Sequence, residues 1–184
     1  MKLSIVIIFN TRSQSSLRGE LLENIIVNEI PSLLGSCFHS NLPFQTINNF
    51  QIIQTNTEYR VLYAHTDKMG VVNNVRYFEY FEAGRNDFLR KLGYPYTELE
   101  KENFGLPVIE AYAKFISGAK YDDVITIQTK LNKVPTVRFR IDYEIICNEK
   151  IIVTGFTVHS FVSISKMKPV RPPLKFIDLI KSKI

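Results

Sequence analysis

Between Asn73 and Gly93 the apolar residues Tyr77, Phe78, Phe81, Phe88, Leu89 and Leu92 recur at intervals of three and four. That spacing predicts one long helix with a buried stripe. Asn73 and Asn74 suit its N-terminus, because an asparagine side chain can accept from the free amides of a first turn. Gly93 is expected just past its C-terminus. Gly84 inside the helix costs about 1 kcal/mol in propensity, so another element should pack closely there. An aromatic stripe of this length needs a surface to bury against, and the chain around it supplies strands.

"EYRVLYAHT" before the helix is a strand candidate rich in Val, Leu and Tyr. After the helix come "LPVIEAYAKF", "VITIQTKLNKV", "TVRFRIDYEIIC" and "IIVTGFTVHSFVSI". In the third of these Val137, Phe139, Ile141, Tyr143 and Ile145 alternate with Arg138, Arg140, Asp142 and Glu144. Strict alternation marks a half-buried antiparallel strand. Asn148, Glu149 and Lys150 read as the turn into the next strand. One helix followed by meandering strands is an α+β pattern, with the helix covering one face of a curved antiparallel sheet.

At 184 residues, 45% hydrophobic and 22% charged, the chain suits one domain, with or without an extension. The early apolar run "LSIVIIF" is too short to span a bilayer. Cys37 and Cys147 lie far apart and match no metal or redox spacing, so both read as packing residues in a reducing compartment. The motifs G-x-S-x-G, H-E-x-x-H, G-x-G-x-x-G and the Walker loop do not occur.

Residues 1–55 differ from the rest and are expected to form an N-terminal extension. They contain polar stretches without periodicity around "ELLENIIVNEI", a short helical pattern closed by Pro31. The first 19 residues hold Lys2, Arg12 and Arg18 and no acid, so disorder or organelle targeting by residues 1–20 are both open. The domain is expected over 56–165, followed by a basic tail at 166–184. In that tail Lys166, Lys168, Arg171, Lys175, Lys181 and Lys183 face one acid, Asp178, an excess equal to the chain's whole net charge of +5. Such a tail is either simply solvated or attracts an anionic ligand such as a nucleotide phosphate. Nucleic acid is not expected, because the basic residues are not interleaved with stacking aromatics.

Three histidines exist. His39 lies in the extension, and His159 sits mid-strand as a core histidine. His65 is two residues before Asp67, on the same face if the strand persists that far. Asp67 itself lies ahead of the helix start, with Gly70 in the turn between. Helix-opening amides lack intrahelical partners and carry partial positive charge. They can bind an oxyanion while a nearby carboxylate attacks a carbonyl or deprotonates a water. The residues alone leave two readings open for Asp67, a catalytic carboxylate or a turn residue.

The run "YAHTDKMGVVNNVRYFEYFEAGRNDFLRKLGYP" resembles the signature of hot-dog-fold acyl-CoA thioesterases, of the 4-hydroxybenzoyl-CoA thioesterase and YbgC type. "LPVIEAYAKFISGAKYDDVITIQT" and "FRIDYEIICNEKIIVTGFTVHSFV" resemble the later strands of that family. The similarity covers about 57–165 and does not extend to the first 55 residues or the basic tail. It implies a sheet of five or six antiparallel strands wrapped around the long helix. It also implies a homo-oligomer, dimer or tetramer, with active sites at the subunit interface.

On that resemblance Asp67 is the catalytic carboxylate, the backbone N–H of Asn74 polarises the thioester carbonyl, and Gly70 permits the turn between them. Lys133 and Arg138 are candidates for contact with the CoA phosphates, and Tyr77 for substrate binding. Many relatives carry Tyr or His near 73 and 74 and Asn at 76, where this chain has Asn73, Asn74 and Arg76. Glu79 and Glu82 answer to a second hot-dog branch that uses a helix carboxylate, though solvent-facing or subunit-contact roles explain both. A hydratase on this fold would need a His about five residues after its Asp, and position 72 is Val. The expectation is a cytoplasmic acyl-CoA hydrolase without cofactor, metal or membrane span. Acyl-acyl carrier protein is the alternative substrate, and a non-catalytic acyl-CoA-binding module or sensor the alternative class.

Overall fold

The computed structural model describes residues 4–8 and 51–184. The helical pattern "ELLENIIVNEI", Cys37 and His39 lie outside the described residues. The alternation at 138–147 becomes β6 (Arg138–Cys147), the centre of a six-stranded sheet with all neighbours antiparallel. Its companions are β1 (Ser4–Ile8), β2 (Ile53–Arg60), β4 (Val108–Phe115), β5 (Val124–Leu131) and β7 (Lys150–Ser160), in spatial order β1-β4-β7-β6-β5-β2. A small second sheet joins β3 (Phe104–Gly105), β8 (Val162–Ser163) and β9 (Lys168–Pro169). Asn148 and Glu149 turn β6 into β7 with φ of +48° and +61°, while Cys147 and Lys150 pair across the hairpin. Two left-handed residues match the right-handed twist of the strands they join.

The long helix, α1 (Arg76–Leu92), lies against the sheet and is followed by the short α2 (Tyr96–Lys101). Tyr77, Tyr80, Phe81, Phe88, Leu89 and Leu92 are its buried apolar face. Two glycines set how near it comes. A Cβ on Gly84 would stand 2.6 Å from Ile127 Cγ2 and 2.7 Å from Thr129 Oγ1 of β5. A Cβ on Gly155 of β7 would meet the Phe81 ring at 2.7 Å. The Phe81 ring then stacks on Tyr143 of β6, centroids 4.4 Å apart. Gly93 ends the helix in the left-handed conformation (φ +88°), its N–H bonded back to Arg90 and Leu89.

Several expected boundaries move. The strand expected at 58–66 is β2, which begins at Ile53 and ends at Arg60, and Tyr63–His65 form a 3-10 turn. Within the stretch set apart as an extension, Ser4–Ile8 pair with Lys114 to Glu110 of β4 and form a sheet edge. The basic tail is not a tail. Residues 168–169 pair with β8, and a third helix, α3 (Leu174–Lys181), buries Phe176 and Ile180. The Phe176 ring meets Phe161, Tyr94 and Phe139. Lysines interrupt the sequence there, but the apolar residues four apart are what dock the helix.

A polar thread crosses the core between β6 and β7. Leu106 O can only accept, so His159 Nδ1 carries the proton and donates to it at 3.2 Å. His159 Nε2 then accepts from the Thr157 hydroxyl at 2.8 Å, which in turn accepts from Tyr143 at 2.8 Å. Burial, with the Arg85 charge second, pushes the His159 imidazole down to about 3. Cys147 is a free, buried cysteine whose thiol is pushed up by burial and by Asp123. Both residues pack.

Gly84→Ala should lower the urea midpoint of unfolding, because overpacking costs about 1–3 kcal/mol against a propensity gain of about 1 kcal/mol. Phe176→Ala should cost about 3–5 kcal/mol, measured the same way, whereas a solvated tail would leave stability unchanged. His159 accepts a proton far less readily folded than unfolded. Stability should therefore fall as pH drops from about 6.5, the ordinary histidine value, towards 3, by at most about 1.4 kcal/mol per pH unit. His159→Gln should flatten that slope in urea titrations across pH 4–7.

Candidate active site

The turn carrying Asp67 is a small ladder. Asn73 N–H donates to His65 O at 2.9 Å, Thr66 bridges Val72, and Asp67 N–H donates to Val71 O at 3.0 Å. Gly70 closes the turn by donating to Asp67 O at 2.9 Å. Its φ of +76°, with nothing within 4 Å of a Cβ, shows that conformation rather than space requires glycine here. Met69 N–H donates to Asp67 Oδ1 at 2.8 Å, which fixes the carboxylate on the turn. Oδ2 accepts nothing from the described residues, and Asp67 is half-buried.

The helix opens beside this ladder. The expected asparagine caps resolve differently: α1 starts at Arg76, and its N-cap Val75 makes no side-chain cap bond. Asn73 instead organises the approach, its Oδ1 accepting from Val75 N–H at 3.1 Å and its carbonyl from Arg76 N–H at 3.0 Å. Asn74 N–H has no acceptor among the described residues. Asp67 and Asn73 are separated by two rungs of the ladder, about 7 Å of strand rise. A fixed carboxylate and a free amide therefore share one rigid turn.

Tyr77 is placed beneath the site, not on its wall. It is 2% exposed, and its hydroxyl accepts from Ala119 N–H at 3.1 Å. Val72 N–H also bonds to Ala119, through its carbonyl at 2.8 Å, so the loop before β5 clamps both turn and helix. His65 does not share a strand face with Asp67. It is buried in the 3-10 turn and its Nδ1 hydrogen-bonds the Tyr80 hydroxyl at 2.9 Å. Glu79 pairs with Arg76 at 2.6 Å in an exposed ion pair, and Glu82 stands at the rim of a cleft of about 350 Å³ on the other side of α1.

Lys133 and Arg138 are brought together in a cleft of about 490 Å³ with Asn132, Arg140 and Phe139. That cleft is far from Asp67 within one protomer. Asp123, whose carbonyl accepts from Val61, precedes β5 at the Asp67 end, and Lys133 follows β5 at the other. Eight residues of strand separate them, about 25 Å. The sequence reading missed a group around the turn: Leu62, Tyr63, Met69, Val75, Ile116 and Tyr121 are all at least half exposed. Tyr63 and Tyr121 meet edge to face at 5.6 Å.

The sequence model described as the thioesterase-like superfamily matches residues 61–179, and the chain belongs to that family. The match takes in β9 and most of α3, as the packing of Phe176 requires. Membership makes the chain a thioester hydrolase of the hot-dog fold. It is 30% identical to the acyl-CoA thioesterase YbgC of Haemophilus influenzae, over 62% of this chain and 85% of that one. It is 27% identical to the chloroplastic acyl-acyl carrier protein thioesterase ATL3 of Arabidopsis thaliana, over 67% of this chain and 68% of that one. Among solved structures, DHNA-CoA thioesterase from Staphylococcus aureus superposes with a TM-score of 0.66 at 30% identity, over 71% of this chain and 89% of that one.

Proposed function

We infer that the chain hydrolyses acyl-CoA thioesters, with Asp67 as nucleophile or general base and the Asn74 N–H as oxyanion donor. The observation that carries this reading is the pairing, on one turn, of a carboxylate fixed through Oδ1 with an amide that has no acceptor among the described residues. Asn74 N–H receives the thioester oxygen as negative charge develops there. As a nucleophile, Asp67 bonds to the carbonyl carbon and expels the thiolate, and water then cleaves the resulting anhydride. As a base, it takes a proton from the attacking water. Both routes consume one water and release a carboxylic acid and a thiol.

CoA is favoured over acyl carrier protein as the carrier by relatives named for acyl-CoA and DHNA-CoA, each 30% identical to this chain. The cationic cleft at Lys133 and Arg138 suits CoA phosphates, but it and Asp67 lie at opposite ends of β5. A site using both takes them from two subunits of a homo-oligomer, and the apolar collar around Asp67 supports the same assembly. Acyl carrier protein is the second reading, supported by the ATL3 similarity.

Asp67→Asn should lower kcat on the order of 10²-fold or more, measured as free thiol released from a panel of short, long and aromatic acyl-CoAs. Binding of a non-hydrolysable acyl-CoA should survive. Glu82→Gln and Glu79→Gln should keep most activity; loss in either, with Asp67→Asn unaffected, would move the catalyst onto the helix. Wild type that binds these esters without turnover would be a sensor. Lys133→Ala combined with Arg138→Ala should raise KM and leave kcat near wild type, the mark of lost uniform binding.

A further inference from the structure

Apart from glycine, five of the described residues have positive φ: Asn103, Asp122, Asn148, Glu149 and Met167. Four are polar, and Asn and Asp are the side chains that tolerate this conformation best. Met167 is the one apolar residue of the set. Its φ is +49°, it is 78% exposed, and it stands at the tip of the β8–β9 hairpin between Lys166 and Lys168. The tip is braced. Met167 N–H donates to Ser163 O at 2.7 Å, and Ile164 N–H donates to Asn103 O at 3.0 Å. Asn103 Oδ1 accepts from Ser165 N–H at 2.9 Å, while its Nδ2 donates to the Ser163 and Ser165 hydroxyls, each at 3.0 Å. A merely solvated turn would gain from glycine or asparagine at 167. This one holds a methionine out in water.

The chain on either side of the tip has the same character. From Ile164 to Lys175 it reads "ISKMKPVRPPLK", with four cations and no acid. None of the four forms an ion pair among the described residues. Lys175 is held over the Tyr94 ring at 5.2 Å, which leaves Lys166, Lys168 and Arg171. Leu174, which opens α3, is 81% exposed. The segment thus holds two of the four large apolar residues that are more than three-quarters exposed among those described; the others, Tyr63 and Met69, flank Asp67. It lines neither of the clefts described above. A protein partner is recognised by shape as well as charge. Apolar tips among cations, without a cleft, suit a surface that is negative, fluid and flat. A bilayer of anionic lipids attracts each nearby Lys or Arg, a gain of roughly fivefold in affinity per charge, and admits apolar side chains at the headgroup boundary.

We propose that the segment 164–174 docks the protein on anionic lipid bilayers. Lys166, Lys168 and Arg171 lie against lipid phosphates, and Met167 and Leu174 enter the headgroup boundary. Charge and apolar insertion are each weak here, so attachment is reversible. This inference does not depend on the thioesterase mechanism, and its test reads partition rather than turnover.

Sedimentation with vesicles would compare phosphatidylcholine alone with phosphatidylcholine containing one-third phosphatidylserine. The full chain should partition onto the second roughly tenfold more strongly or better, and rising salt should release it. Lys166→Glu/Lys168→Glu should weaken that binding roughly tenfold or more. Lys181→Glu/Lys183→Glu changes the net charge equally outside the segment and should weaken it far less. Met167→Asn suits the left-handed turn, so it should unfold no more readily than wild type in urea, yet bind these vesicles several-fold more weakly. Equal binding to the two kinds of vesicle would overturn the proposal. So would equal effects of the two charge reversals, wild-type binding by Met167→Asn, or a loss of stability in that variant. Should an acidic acyl carrier protein broaden the Met167 methyl resonance while the vesicles leave it sharp, the surface would be a protein site and the proposal would fall.

Discussion

The approach of α1 to the sheet governs everything else in this molecule. Gly84 removes the side chain that would strike Ile127 and Thr129, and Gly155 removes the one that would strike Phe81. Only with both absent can the Phe81 ring lie flat on Tyr143 while Phe88, Leu89 and Leu92 stay buried. The contact is dense, and dense interiors do not yield by fractions of an ångström without cost. The helix axis is thereby fixed, and with it the place where the helix begins.

That place is chemically useful because the chain enters it through a locked turn. The ladder from His65–Asn73 to Asp67–Val71 and the hydrogen bonds of Ala119 to Val72 and Tyr77 leave the turn little freedom. In the proposed mechanism a carboxylate on a rigid support beside an amide without an acceptor loses little entropy. Among the described residues the usual side-chain relay has no counterpart: His65 is committed to Tyr80, and His159 is threaded between Thr157 and Leu106.

Much of this was legible in the sequence where periodicity was strong. The stripe on α1, the alternation of β6, the C-terminal Gly93 and the tight packing at Gly84 all follow from spacing and residue type. The turn proposed to carry the catalyst was legible through Asp67, Gly70 and the asparagines, although the cap falls one residue past them at Val75. Other features were hidden for physical reasons. β2 begins with Gln54 and Asn56 outward and a threonine, Thr55, at the inward position between them, which masks the apolar alternation of an edge strand. α3 was hidden because the basic residues on either side of it drew the reading to charge, although the helix itself is mostly apolar and buries Phe176 and Ile180. The collar of Leu62, Tyr63, Met69 and Tyr121 has no periodic signature at all, since exposure of such residues is a tertiary property.

The order of the strands has a consequence for how the chain reaches this state. β2 and α1 leave the ribosome before the strands they finally pack against, and among the described residues β2 pairs only with β5, at the sheet edge. Likewise β4 must wait for β7, the last long strand made. The hairpins β5–β6 and β6–β7 close locally, so they form the frame on which the earlier segments assemble. Ordering of this kind raises the contact order and slows folding relative to a simple meander. During that interval the aromatic face of α1 is without its sheet, which makes the nascent chain, more than the finished one, the form that needs protection from aggregation.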